Sequence, residues 1–303
     1  MSFSLNNKSS RRKGVVSKFY SNLLVVEDIE TGKQYLCKLR GKFKKQRIRP
    51  ITGDIVEYEP IVGNEGVVEN IINRKNQLNK PSVANVDQVI IVTALEKPRV
   101  PYEIVDRFVL LVEKEGLPII IVLNKVDLLA EEQIIEFEKI YGRLYPVLKT
   151  SAKTGVGIDE LKSHLCRKVS VFAGMSGVGK SSLLNTIDEN LKLRTGEISE
   201  RLGRGKHTTT TAELLRIASG GWVVDTPGFA SLEMAGIQSQ ELREFFVEFE
   251  NEKCHFSDCS HVDEPGCYVR EMIEKNKISR SRYESYLKFL RELKEKEDSN
   301  LPR

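Results

Sequence analysis

Gly174-Met175-Ser176-Gly177-Val178-Gly179-Lys180-Ser181 sets two glycines five positions apart and follows them with a lysine and a hydroxyl residue. Glycines let successive backbone N–H groups converge on one anion, helped by the positive end of a following helix. Lys180 is then expected to reach the outer phosphates of a nucleotide, and the Ser181 hydroxyl to ligate Mg²⁺, with Ser182 completing the binding run. The apolar run Val169–Ala173 before the loop reads as a strand, and the residues after it open a helix, which is the context a phosphate loop requires. A second motif, Asn124-Lys125-Val126-Asp127, closes another strand-like run, Ile119–Leu123. The Asp127 carboxylate can accept two hydrogen bonds from guanine's ring N–H and exocyclic amine. Adenine would leave it facing no donor, a large penalty for a buried polar group. Thr150-Ser151-Ala152-Lys153 follows the next strand-like run, and Ser151 and Ala152 are expected to offer backbone N–H groups to the guanine carbonyl. Phosphate loop and base reader together specify GTP over ATP.

Asp225-Thr226-Pro227-Gly228 follows Gly221-Trp222-Val223-Val224 and reads as the sensor of the γ-phosphate and of Mg²⁺. Asp225 would reach the ion through water, and Gly228 would donate its N–H only while the γ-phosphate is present. The next residue is Phe229, where many GTPases place a glutamine that orients the attacking water. A phenyl ring cannot do this, so intrinsic hydrolysis is expected to be slow or another group must act. The segment Gly203-Arg204-Gly205-Lys206-His207 with threonines at 208–211 supplies the alternatives. Thr209 is favoured for closing over Mg²⁺, with Thr208 next, and His207 is the candidate water-orienting residue. Arg201, Arg204 and Lys206 make this switch basic, so RNA could order it.

The order of these motifs is itself informative. Both base-reading motifs precede the phosphate loop, whereas an ordinary small GTPase begins with the phosphate loop and ends with the base readers. The chain is circularly permuted. As a result the DTPG switch runs straight into a C-terminal region, so switch position can be transmitted there through one short covalent connection.

That region carries the remaining chemistry. Of five cysteines, Cys254, Cys259 and Cys267 lie within fourteen residues and share the window with His261. Three thiolates and an imidazole form the donor set of a closed tetrahedral Zn²⁺ site, with no position left for water, so one structural zinc is expected. His255 is a spare beside a ligand, and Cys37 and Cys166 are expected to pack as small apolar residues.

These groups must be positioned by at least two kinds of architecture. Between Gly14 and Ile72, short β-rich runs are broken by turn signals at Glu30-Thr31-Gly32-Lys33 and Val62-Gly63-Asn64-Glu65-Gly66, which suits a five-stranded OB-type barrel. Within it, residues 40–49 read as a basic loop with one aromatic, Phe43, whose natural partner is an RNA backbone. From about 84 to 230 the pattern alternates strand and helix. Strands are expected at 88–94, 119–123, 145–149 and 169–173, with helices near 102–115, 131–141, 158–165 and 180–189, as in a parallel α/β sheet. Beyond Gly228 the chain is expected to turn helical again, to be interrupted by the cysteine cluster at 254–267, and to end in an amphipathic helix over 279–295. The expected domains are 1–75, a basic arm and OB-type barrel; 76–231, the permuted α/β P-loop GTPase domain; and 232–303, a helical zinc-binding domain.

Charge supports a nucleic-acid partner. The net charge is +4 over 303 residues, yet residues 1–50 hold 13 Lys/Arg against 3 Asp/Glu, leaving 34 against 40 in the remainder. No apolar run reaches membrane-spanning length and the N-terminus has no apolar signal core, so a cytoplasmic protein without a membrane partner is expected, a monomer by preference.

The ordered set NKVD, TSAK, GMSGVGKS, the threonine-rich switch and DTPG, flanked by a barrel and a C-x4-C-x-H-x5-C motif, resembles the RsgA (YjeQ) family of bacterial small-ribosomal-subunit biogenesis GTPases along essentially the whole chain. The resemblance implies a cytoplasmic GTPase, slow alone and stimulated by the small (30S) subunit. It further implies that the enzyme binds that particle and its 16S rRNA through its outer domains and assists late maturation, with hydrolysis to GDP triggering release. It also implies that His207 matches the family's water-orienting histidine. Two other readings are a GTP-gated RNA-binding factor whose turnover is incidental, kept open by Phe229, and a stand-alone signalling GTPase, against which the basic barrel and switch argue.

Overall fold

The computed structural model describes residues 11–20, 23–45, 49–79, 82–191, 212–225, 232–250 and 253–299, without the side chains of Lys44, Lys45 and Asp225. In chain order the strands and helices are β1 (Arg12–Tyr20), β2 (Leu23–Asp28), β3 (Gln34–Leu39), α1 (Gly41–Lys45), β4 (Ile55–Pro60), β5 (Glu65–Ile71), β6 (Gln77–Leu78), β7 (Val83–Ala84), β8 (Gln88–Thr93), α2 (Tyr102–Lys114), β9 (Ile119–Leu123), α3 (Glu131–Tyr141), β10 (Val147–Lys149), α4 (Ile158–Leu165), β11 (Val169–Ala173), α5 (Lys180–Ile187), β12 (Glu213–Arg216), β13 (Trp222–Asp225), α6 (Tyr268–Glu274) and α7 (Arg280–Ser299). The chain divides into two compact units, the first holding the described residues of 1–87, 165–171 and 202–229, the second those of 88–164, 172–201 and 230–303.

In the first unit, β1-β2-β3-β5-β4 close into a barrel, antiparallel throughout except for the parallel β3–β5 pair. Alternation decides what faces inward: Tyr35 and Cys37 of β3 are buried while Gln34, Leu36 and Lys38 are exposed. Val16, Leu24, Val26, Val56, Tyr58 and Val68 complete the interior. Tyr58 donates its hydroxyl to Asp28 at 2.5 Å, so the polar tip of this buried ring is satisfied. The expected loop at 40–49 begins instead as helix α1, and Phe43 joins the barrel core. Its ring is thus buried against the barrel interior, and Lys42 beside it is exposed. The same unit holds Val169–Val171 of β11, parallel to β13, and β13 antiparallel to β12.

The second unit is α/β. Strands β8, β9 and β10 run parallel in register, Val89 opposite Ile119 and Val147 opposite Ile121. β8 and β9 are buried at every residue, as strands covered on both faces must be. In α2 the buried Val105, Phe108, Val109 and Val112 recur at helical spacing and form the inward stripe. Leu110 of the same helix packs into the C-terminal core with Phe246, Phe249, Val269, Tyr286, Phe289 and Leu293. The helix expected between Gly228 and the cysteine cluster is not found among the described residues, which carry 3-10 turns such as Leu242–Phe245 before α6 begins, while the expected interruption at 254–267 is seen. Phe246 and Phe249 stack with ring centroids 5.1 Å apart on turns rather than on a helix, and the four metal-type ligands require a chain that doubles back.

A buried ion network joins α7 to α2. The Arg282 guanidinium, 1 % exposed, donates twice to Glu248, at 2.6 and 2.9 Å, and once to Asp106, at 3.0 Å. Asp106 also accepts from Ser285 at 2.6 Å and Tyr141 at 2.9 Å. Burial pushes the Asp106 carboxyl up, while Arg282 and the two hydroxyls pull it back. Removing the arginine strands two carboxylates, so Arg282→Met is expected to lower unfolding free energy by about 3–5 kcal/mol in urea titrations. An unchanged midpoint would mean the network carries no net stability.

Candidate functional site

The nucleotide motifs converge at the carboxyl ends of β9, β10 and β11, where open α/β sheets bind ligands. Asn124 is wholly buried. Its Nδ2 donates to Val178 O at 2.8 Å and its Oδ1 accepts from Thr150 at 3.1 Å, so one side chain ties the base-reading strand to the phosphate loop and to the TSAK strand. Gly179, at φ +100°, makes this possible: a Cβ there would lie 2.4 Å from Asn124 Nδ2. Lys125, in the left-handed region at φ 62°, folds its chain back so that Nζ donates to Gly177 O at 2.7 Å and to Lys97 O. Val126 opens a 3-10 turn and donates its N–H to Thr150 O at 3.1 Å.

Asp127 is held by Ser151, whose hydroxyl donates to Oδ1 at 2.6 Å and accepts the Thr154 N–H at 3.2 Å. One expectation changes here. The Ser151 N–H donates to Val156 O at 3.0 Å and is not offered to a base. The loop 151–157 must close on itself to return into α4, and that closure uses this amide. Ser151 thus acts through its hydroxyl, aiming the Asp127 carboxylate, while Ala152 accepts from Thr186 at its carbonyl. Sequence spacing could not show that the Ser151 amide closes the loop while its hydroxyl bonds Asp127.

The phosphate loop wraps the Lys180 ammonium, which donates to Gly174 O and Met175 O, both at 2.8 Å. Burial lowers the Lys180 pKa, so an anion brought to it restores the preference for the charged form. Gly177 and Gly179 have positive φ, Val178 is buried and Met175 is exposed, while Ser181 and Ser182 stand in the first turn of α5, half-buried. A hydroxyl is the hard oxygen donor that Mg²⁺ takes, so Ser181 fits that ion. Asp225 ends β13, paired with Glu213. Ser176 lies at the loop tip between Met175 and Gly177. Arg201, Arg204, Lys206, His207, Thr208, Thr209, the rest of the threonine run to 211, Gly228 and Phe229 lie outside the described residues.

In the second cluster the ligand atoms of Cys254, Cys259, His261 and Cys267 all lie within 4.8 Å of one another. His261 Nδ1 is 3.6 Å from the Cys254 sulfur and 3.4 Å from that of Cys267. Tetrahedral zinc at its usual bond lengths separates N and S donors by about 3.5 Å, so these residues fit it. The knuckle is braced from outside. Glu264 accepts the Ser260 and Val262 N–H groups and the Ser260 hydroxyl, and although burial opposes it these donors bring its carboxyl down to about 2. Tyr283 and Tyr286 of α7 donate to His261 O and Ser260 O at 2.6 and 2.7 Å.

In the barrel unit a cleft of about 510 Å³ is lined by Lys42, Phe43, Arg49, Asn70, Ile71, Ile72, Asn73 and Arg74. Arg74 is fixed by Asp54, at 2.6 and 2.9 Å. Residues 46–48 of the expected basic loop lie outside the described ones.

Comparison with known proteins agrees with this geometry. The RsgA N-terminal domain family matches residues 13–68, and the RsgA GTPase family matches residues 70–235. A protein of Thermotoga petrophila called small ribosomal subunit biogenesis GTPase RsgA is 54 % identical over 288 residues, 94 % of this chain and 98 % of its own. One of the same name from Geobacillus thermodenitrificans is 45 % identical over 290 residues, 94 % and 98 % of the two chains. The crystal structure of YjeQ from Thermotoga maritima superimposes with a TM-score of 0.83 at 51 % identity, covering 93 % of this chain and 98 % of that one. YloQ, described as a circularly permuted GTPase, gives 0.81 at 33 % identity over 98 % and 99 %. The motif order, the closed barrel and the relatives at full length agree, and the chain belongs to the RsgA family of circularly permuted, GTP-hydrolysing enzymes.

Proposed function

We propose that this enzyme acts in late maturation of the small ribosomal subunit. It binds the 30S particle and its 16S rRNA with GTP bound, and hydrolysis to GDP triggers release. The observation that carries the reading is the Asn124 strut, which fixes a guanine-reading carboxylate and a phosphate loop in one rigid frame. The barrel cleft with Lys42, Arg49 and Arg74 supports an RNA partner, and the names of the full-length relatives support the small subunit as the particle. In this reading the parts 1–75, 76–231 and 232–303 divide the labour into RNA binding, GTP hydrolysis and a zinc-stabilised contact domain. The enzyme works as a cytoplasmic monomer. No helix among the described residues is long and apolar enough to cross a membrane.

Asp127, aimed by Ser151, accepts guanine's ring N–H and amine, and the Ala152 N–H meets the guanine carbonyl. Lys125 packs its chain beside the base. Residues 174–179 cradle the phosphates with their backbone, with Lys180 on the outer phosphates. Ser181, Thr209 and, through water, Asp225 would hold Mg²⁺, which would supply positive charge to offset that of the phosphates. Gly228 senses the γ-phosphate. His207 orients the attacking water that Phe229 cannot.

The test is GTP turnover with and without purified small subunits, with large subunits and ATP as controls. Stimulation of many fold by the small subunit alone is expected, and it should collapse in His207→Ala. Unstimulated turnover with tight, nucleotide-dependent binding retained would replace the enzyme-switch reading with a GTP-gated RNA-binding factor, the alternative that Phe229 favours, and would withdraw the role of His207.

A further inference from the structure

β12 is held by the barrel at both ends. Ala212, which directly follows the threonine run, gives its carbonyl to the buried Thr52 hydroxyl at 2.7 Å. Glu213 accepts from Lys18 of β1 at 2.7 Å. At the far end Arg216 donates to Glu27 of β2 at 3.1 Å, and the Glu27 side chain is only 3 % exposed. The turn after β2 is shaped for that contact. Gly32 sits at φ +69°, and a Cβ there would lie 2.4 Å from the Arg216 guanidinium.

The other edge of β12 pairs with β13, and the register sets Glu213 opposite Asp225. Ala212 and Asp225 are therefore neighbours, and from them the chain continues into the two nucleotide-sensing segments, 208–211 and 226–228. Thr52 in turn connects to the barrel cleft. Arg74 of the cleft clamps Asp54, whose carboxylate also accepts the Ile51 N–H at 2.8 Å. The 51–54 turn so formed presents Thr52. Arg74, Asp54 and Thr52 thus form an unbroken run of contacts from the cleft to Ala212, along which a phosphate drawn to Arg74 would compete with Asp54.

The geometry points to Thr52, Lys18 and Glu213 as positioning residues for GTP hydrolysis: an RNA phosphate in the cleft sets, through β12, where both sensing segments begin. This rests on the proposed function. It differs from simple protection of an edge strand, which would stabilise the fold without distinguishing stimulated from intrinsic turnover.

The experiment compares wild type, Thr52→Val, Lys18→Glu, Glu213→Lys and the Lys18→Glu/Glu213→Lys exchange in GTP turnover with purified small subunits. Expected are a tenfold or greater loss of stimulated kcat in the three single variants and recovery of most of it in the exchange. Intrinsic turnover and subunit affinity with a non-hydrolysable GTP analogue should stay within twofold. Stimulation retained in Thr52→Val and Lys18→Glu overturns the inference, as does an equal loss of intrinsic turnover. If wild type itself is not stimulated, the proposed function has failed, and the seam is then read optically. Trp222, the chain's one tryptophan, lies 5.7 Å from the Arg216 guanidinium. Its emission should differ between the GDP and GTP-analogue forms in wild type and not in Thr52→Val. Identical wild-type spectra would overturn the inference on their own.

Discussion

Asp127→Asn is expected to weaken GTP binding by roughly two to four orders of magnitude and to make xanthosine triphosphate the preferred ligand. Each hydrogen bond to a charged group contributes about 1.5–3 kcal/mol, and guanine offers two donors to this carboxylate. Removing the charge weakens the bond that remains and turns the other into a clash of donors, together about 3–6 kcal/mol, which corresponds to that range. An asparagine presents one acceptor and one donor. Against guanine its amide faces the exocyclic amine, two donors with nothing between them. Against xanthine the same amide meets a carbonyl. The carboxylate is aimed by the Ser151 hydroxyl at 2.6 Å and does not need the charge to stay in place. Titration of the variant with fluorescent GTP and xanthosine triphosphate decides the matter. Loss of both ligands would mean the 151–157 loop has collapsed, and equal binding of both would mean that Asp127 does not touch the base.

The same residues show how far sequence alone could go. NKVD, TSAK and GMSGVGKS were legible because phosphate and guanine each demand a fixed set of groups at fixed spacing. The elements around them were legible because β8 and β9 are continuous apolar runs and α2 repeats its apolar residues at helical spacing. Two kinds of information were not. The first is direction: Phe43 stands among lysines in sequence but points into the barrel, and the Ser151 amide turns to Val156 while its hydroxyl turns to Asp127. The second is long-range pairing. Arg282 reads as one more charge on an amphipathic helix, yet it neutralises Asp106, 176 positions earlier in the chain. β12 escaped notice because four residues, Glu-Leu-Leu-Arg, show no clean alternation, and its place depends on barrel residues 160 to 195 positions away. The stretch between Gly228 and the cysteine cluster reads as helical in sequence, but among the described residues Leu242, Phe246 and Phe249 reach the C-terminal core from turns instead.

Removal of zinc, by chelation or by Cys259→Ser, is expected to have the largest effect on the molecule. Zinc binding to a Cys/His set of this kind supplies about 10–16 kcal/mol at neutral pH. That matches or exceeds the whole net stability of an ordinary domain, about 5–15 kcal/mol. Without the ion the cluster is an unfavourable arrangement: burial pushes the Cys259 thiol up to about 12 and the Cys267 thiol upward too, so both stay protonated. Metal uptake should therefore release protons, and apparent affinity should rise with pH as thiolates form. The consequence should not stop at the knuckle. Tyr283 and Tyr286 bond to its backbone from α7, and α7 carries Arg282 to Asp106 on α2. Loss of the knuckle frees α7, and a displaced Arg282 leaves Asp106 buried and unpaired inside the α/β unit, which costs about 3–5 kcal/mol. Urea unfolding with and without chelator, followed by GTP affinity and far-ultraviolet circular dichroism together, should show one early transition in which C-terminal structure and GTP binding are lost at the same denaturant concentration. One zinc per chain should be measured before chelation. Two separate transitions, the second at the original midpoint with GTP binding intact, would show that the α/β unit stands without Arg282, and that the network between α2 and α7 transmits nothing from the metal-binding knuckle.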